Sequence, residues 1–156
     1  MAKVIVSLVN ERQPASFQFA TSLTRGPLVC DICIMDRATS GECWEVVTLP
    51  RAANRARWKS LYEERLRAAG LIMPAFMDPF TDFLPPDPRY LLARAASEDV
   101  DAAASIELQS LVYGVVPPGF VQQLPQEGIA PPLEPGGIYD LFLLGHDSGH
   151  LTFAGP

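Results

Sequence analysis

Hydrophobic and polar positions alternate with a period of two at both ends of this chain and follow a helical period in its middle. Val4, Val6 and Leu8 alternate with Ile5, Ser7 and Val9, which predicts a first strand within residues 1–10. Phe17-Gln-Phe-Ala-Thr21 repeats the pattern. Residues 27–35 form an apolar run rich in β-branched side chains and predict a buried strand. Residues 36–42 are turn chemistry, with Gly41 available for a positive φ, and residues 43–49 return as the partner strand of a hairpin.

Pro50 changes the period. Residues 51–70 predict an amphipathic helix, with proline at its first turn and Gly70 at its end. Trp58, Leu61, Tyr62 and Leu66 fall on one stripe and are expected to be buried. Residues 71–88 carry five prolines and no sustained period, so they predict a long apolar loop, of a length that usually has a function. A shorter helix over 88–96 and a further turn near 97–104 lead back to strands. Residues 105–116, 117–125 and 131–144 read as strand-like runs punctuated by proline and glycine, and 150–153 as a final strand after a turn at 146–149.

These elements predict a mainly β chain: an antiparallel β-sandwich of about seven strands with an α-helical insertion between the fourth and fifth. The alternative is an α+β arrangement. One domain fits 156 residues, the sandwich drawn from 1–49 and 105–156 and the helical, proline-rich insertion from 50–104. Tyr113-Gly-Val-Val-Pro-Pro-Gly-Phe-Val-Gln122, followed by Leu133-Glu-Pro-Gly-Gly-Ile-Tyr139, resembles the closing strands of bacterial immunoglobulin-like or fibronectin-type-III-like modules. The 31–44 hairpin is similar to their central pair. The resemblance covers about half the chain, implies an immunoglobulin-like sandwich, and brings no catalytic residues with it.

Composition sharpens the functional expectation. Only 19% of residues are charged, below the roughly 25% of ordinary soluble domains, so part of the surface is expected to be covered by a partner. The net charge of −6 argues against nucleic-acid binding, in which phosphate contacts dominate. Six of the twelve basic residues (Arg51, Arg55, Arg57, Lys59, Arg65, Arg67) crowd the predicted helix, a lopsidedness best explained as a solvated face paired with the protein's own acids. No apolar run has the length of a membrane span, and no signal-peptide cleavage site follows residues 1–10, which favours the cytoplasm or a virion.

Candidate chemistry is sparse. Cys30, Cys33 and Cys43 with His146 or His150 supply the ligand types of a zinc site, although the second Cys-x-x-Cys of a zinc ribbon is missing and Cys30 and Cys33 should face opposite ways. The odd number of cysteines favours reduced thiols. His146-Asp-Ser-Gly-His150 holds a hydroxyl, a carboxylate and two imidazoles, but reads more simply as an Asp-Ser-Gly turn. No catalytic residue, metal or cofactor is expected. The expectation is a non-enzymatic structural or interaction module in a larger assembly, such as a phage particle or surface complex. Its partners would be other protein chains, self-assembly included. Met73, Phe76, Met77, Phe80 and Phe83 are the expected partner-binding residues, and the run from Pro117 to Pro135 invites reading as an extended arm. The alternatives are a small zinc-binding protein and an acidic inhibitor of a nucleic-acid-processing complex.

Overall fold

A computed structural model of the chain describes residues 2–10, 12–72, 89 and 103–156. Among these residues, ten strands and one long helix run in the order β1 (Val4–Asn10), β2 (Ser16–Thr21), β3 (Leu28–Val29), β4 (Asp31–Asp36), β5 (Gly41–Thr48), α1 (Leu49–Ala68), β6 (Ile106–Glu107), β7 (Ser110–Val112), β8 (Phe120–Leu124), β9 (Ile138–Leu144) and β10 (Gly149–Ala154). They form a five-stranded sheet, β10-β9-β4-β5-β8, a three-stranded sheet, β1-β2-β7, and a small β3-β6 ribbon. Every ladder is antiparallel. The chain is therefore mainly β, with sandwich-like layers.

Period-two patterning puts the large side chains between the two main sheets. Across the five-stranded sheet, Leu143, Ile32 and Val46 lie in one register row and Leu141, Ile34 and Trp44 in the next. All six are fully buried. Leu8, Phe17 and Leu111 make a row on the facing sheet. Aromatic edges lock the layers together: Phe17 meets Phe153 at a centroid distance of 5.0 Å, and Trp44 meets Tyr113 at 5.3 Å, both T-shaped. The Trp44 indole N–H donates to Gln122 Oε1 at 2.9 Å, so its one polar atom is satisfied in the core.

Two of the expected long strands are each split in two. Residues 27–35 break at Cys30, and residues 105–116 break at Leu108–Gln109. In both places the chain leaves the β3-β6 ribbon for a main sheet: β4 joins β9 and β5, and β7 joins β2. A change of neighbouring sheet requires a bend that period-two patterning does not mark. The 36–42 turn also differs in detail. Ser40, with φ 56°, takes the positive φ rather than Gly41, while Asp36 Oδ1 accepts from the Ala38 N–H at 2.9 Å. The helix follows the fifth of the described strands instead of the fourth.

Helix α1 starts two residues before the expected position because Thr48 caps it. The Thr48 Oγ1 accepts from the Arg51 N–H at 3.3 Å and donates to the Ala104 carbonyl at 2.9 Å. One fully buried hydroxyl thus clasps both stems of the insertion. Gly70, at φ 75°, ends the helix, and the Leu71 N–H bonds back to the Leu66 carbonyl at 2.8 Å. Leu66 is fully buried, as its place on the stripe predicts; the side chains of Trp58, Leu61 and Tyr62 lie outside the description. Packing of α1 near β5 and β8 explains why β5 is buried on consecutive positions, from Trp44 to Thr48, rather than alternate ones.

The segment 117–135 is no free arm. Tyr113 Oη donates to the Pro131 carbonyl at 2.6 Å, Gln122 Nε2 to those of Pro125 and Gly128 at 2.8 and 3.0 Å, and Leu133 is buried in the core. Core residues on either side hold the prolines down. Thr48→Val, which keeps the shape and deletes the hydroxyl, removes the cap and leaves the Ala104 carbonyl without its donor. The expected cost is about 2–3 kcal/mol in urea unfolding, at an unchanged m-value.

Candidate interaction surface

The residues with the richest apparent chemistry are engaged in holding the fold. Gly145, between β9 and the 146–149 turn, approaches the chain so closely that a β-carbon would lie 2.7 Å from Val29 Cα. This approach sets Asp147 beneath the amino-terminal stretch, where its side chain is fully buried. Asp147 Oδ1 accepts from the Ala2 N–H at 2.9 Å, and Oδ2 accepts from the Leu28 N–H at 2.9 Å and Arg25 Nη1 at 2.6 Å. Burial alone would push the carboxyl's pKa up. The Arg25 guanidinium and the two backbone N–H groups outweigh it and hold the carboxyl well below the usual carboxylate range. The aspartate of the Asp-Ser-Gly turn is thus an internal clip as well as a turn residue.

The two histidines part company. The His146 N–H bonds Ser105 Oγ at 3.1 Å, whereas the His150 ring lies on the outer face of the five-stranded sheet. There His150 Nε2 meets Asp140 Oδ1 at 2.9 Å, Thr152 Oγ1 donates to the same oxygen at 2.6 Å, and the ring stacks on Phe142 at 4.8 Å. Those hydrogen bonds from Thr152 and His150 keep the Asp140 carboxyl below its ordinary pKa. Ser148 is exposed and Asp147 is committed elsewhere, so no nucleophile–base–acid chain is assembled at this turn.

Nor do the cysteines converge. All three are free thiols. Cys33 lies on the outer face of β4, with Phe142 of β9 between it and His150 of β10. Cys43 sits at the β4–β5 irregularity and packs against the core between the sheets, on the other face. Cys30 lies in the bend between β3 and β4, with Arg51 Nη1 3.8 Å from its sulfur. Burial, reinforced by Glu42, Glu45 and Asp31, pushes the Cys33 thiol pKa up, and burial does the same for Cys43. Among the described residues no group of three His, Cys, Asp or Glu side chains could hold a metal ion. Arg51, one of the six basic residues of the helical segment, turns inward, with Nη2 3.3 Å from Asp31 Oδ2.

What the surface offers instead is strand β1. Among the described residues it is an edge, paired only with β2. Its seven residues, VIVSLVN, carry no charge and no proline, the usual guards of an exposed edge. The outward side chains of Ile5 and Val9 are 55% and 56% exposed. The inward ones, Val4, Val6 and Leu8, are only half-buried, unlike Phe17 and Phe19 on the next strand. The core is thus partly open along this flank, where half-buried Leu151 of β10 also lies against it. Beside β1, an indentation of about 400 Å³ is lined by Ile5, Ser7, Gln18, Ala20, Leu23 and Gln109, among others.

The expected partner-binding residues Met73, Phe76, Met77, Phe80 and Phe83 lie outside the described residues. Alternation along residues 4–9 marks β1 as a first strand and no more. Its lack of charge was legible, but its place at a sheet edge depends on pairings that a period of two does not specify. No helix among the described residues is long and apolar enough to cross a membrane. Comparison with protein-family models, with curated proteins and with solved structures returned no match. The likeness to immunoglobulin-like modules therefore rests on antiparallel sandwich architecture alone.

Because the Asp147 carboxyl titrates lower when folded than when unfolded, its contribution is complete above about pH 4, the unfolded carboxylate's range, and fades as pH falls below it. Asp147→Asn is expected to cost about 2 kcal/mol at pH 7. The gap between mutant and wild-type stability should narrow in denaturant melts repeated below pH 4.

Proposed function

We propose that this chain is a non-enzymatic protein-interaction module that works inside a larger assembly. The observation that carries the reading is β1: a sheet edge among the described residues, free of charge, with exposed Ile5 and Val9 on one face and half-buried Val4, Val6 and Leu8 on the other. Exposed edges of this kind recruit strands. The low charged fraction of 19% supports the same reading. Met73, Phe76, Met77, Phe80 and Phe83 make a second contact surface in this proposal, through adaptable methionine and aromatic side chains.

A photo-crosslinking residue placed at Ile5, with a control at the exposed Glu134, tests it in cells that produce the protein. Adducts with another polypeptide are expected from position 5 and not from position 134. Equal yields at both, or none at position 5, reject the reading. In the same assay Phe76→Asp with Phe80→Asp should cut adduct yield if the second surface contributes.

A further inference from the structure

We infer that the 146–149 turn is an autoinhibitory cover on β1: it occupies the amino-terminal half of the edge that a partner strand would pair with, so the two compete for it. The inference rests on the interaction-module reading and adds how that surface is controlled. The phase of the β1–β2 ladder shows which backbone groups are at stake. The Ser22 N–H donates to the Lys3 carbonyl at 3.2 Å, and Val4 lies opposite Thr21 and Ile5 opposite Ala20. Bonded and non-bonded pairs alternate in an antiparallel ladder, so Lys3, Ile5 and Ser7 turn their backbone groups towards β2. Those of Ala2, Val4, Val6 and Leu8 point the other way.

The turn meets this second set. Ala2 is its first member, and its N–H already has a mate in Asp147 Oδ1 at 2.9 Å. The carboxylate stands where a neighbouring strand would offer a carbonyl. Gly149 lies against the next two members: a β-carbon there would sit 3.0 Å from Val4 Cγ1 and 3.2 Å from Val6 Cγ2. The turn is held in this place from behind. The Asp147 N–H donates to the Leu28 carbonyl at 3.0 Å, the Leu28 N–H returns a bond to Oδ2 at 2.9 Å, and Arg25 donates to the same oxygen. A strand added along the full length of β1 would collide with Asp147 and Gly149. Ser148, between them, is exposed, so the cover has solvent on its outer side.

A cover of this kind acts through populations. A partner strand pairs fully only with the fraction of molecules whose turn has moved off the edge, and its apparent dissociation constant is the intrinsic one divided by that fraction. The cover therefore weakens strand addition in general. Strand β1 carries neither charge nor proline, so the turn supplies the guard against indiscriminate pairing that its own side chains lack.

A reversible lock tests the proposal. A β-carbon at position 149 would lie 3.2 Å from Val4 Cβ, within about 0.6 Å of the β-carbon spacing across a disulfide. Val4→Cys with Gly149→Cys, carrying the photo-crosslinking residue at position 5, is oxidised with diamide or left reduced, then irradiated in an extract of the producing cells. The parent chain, treated identically, controls for the three native thiols. Adducts are expected from the reduced protein, lost on oxidation and restored by reductant. Asp147→Asn, which weakens the clip without adding a bond, should raise the adduct yield above the parent's. Native-state hydrogen exchange needs no variant: the Leu28 and Asp147 amides, which close the clip, should exchange together and sooner than those of Ile32 and Ile34 in β4. Equal yields from the oxidised and reduced forms, a lock that does not form, an unchanged yield from Asp147→Asn, or clip amides that exchange only with those of β4 overturn the inference. In each of these cases the interaction module stands wherever adducts persist. No adduct in any form, the parent included, removes the interaction module and the cover with it.

Discussion

The pairing of β4 with β9 is the constraint on which the rest of this structure depends. Six register pairs, from Asp31–Leu144 to Asp36–Tyr139, join the first third of the chain to its last eighth. This ladder puts the β4–β5 hairpin at the centre of a sheet whose remaining strands all come from beyond the insertion. Once it forms, Ile32 and Ile34 are flanked on both sides by apolar partners, and the aromatic contacts of Phe153 and Tyr113 with the facing layers follow. The contacts are mostly long in sequence separation, the arrangement that loop-closure entropy makes slow to assemble.

Local chemistry near the ends of this ladder is given over to fastening. Asp147, Arg25 and Thr48 carry polar atoms that on the surface would suggest a site, yet each closes a junction between segments far apart in sequence. Hydrogen-bonding capacity spent on backbone N–H groups and carbonyls is not available to a substrate. Functional interest shifts to strand β1 beside the Asp147 clip, where Ile5 and Val9 are exposed and the core is incompletely covered.

Much of the architecture was legible in the residues. Alternation at Val4–Leu8 and Phe17–Phe19 fixes which side chains face inward, and the Pro50 and Gly70 boundaries place the helix to within two residues. What patterning misses is topology. Cys30 and Leu108 interrupt strands because their neighbours change sheets, and nothing local to either residue records that change. The same limit explains Asp147. Its sequence neighbours make a turn, whereas its partners Ala2, Arg25 and Leu28 lie more than a hundred positions away. An edge strand likewise becomes visible only when the neighbours of every strand are known, so the uncharged run of β1 carries no edge signal by itself.

The Thr48 hydroxyl, bonded to Ala104, brings the departure and return points of a 55-residue excursion to within one hydrogen bond of each other. A gate closed in this way decouples the length of what lies behind it from the sheets in front. Lengthening such an excursion costs only a logarithmic loss of chain entropy, about 0.6 kcal/mol per doubling. Position 48 is therefore the point at which the enclosed stretch can change length while the layered frame keeps its register.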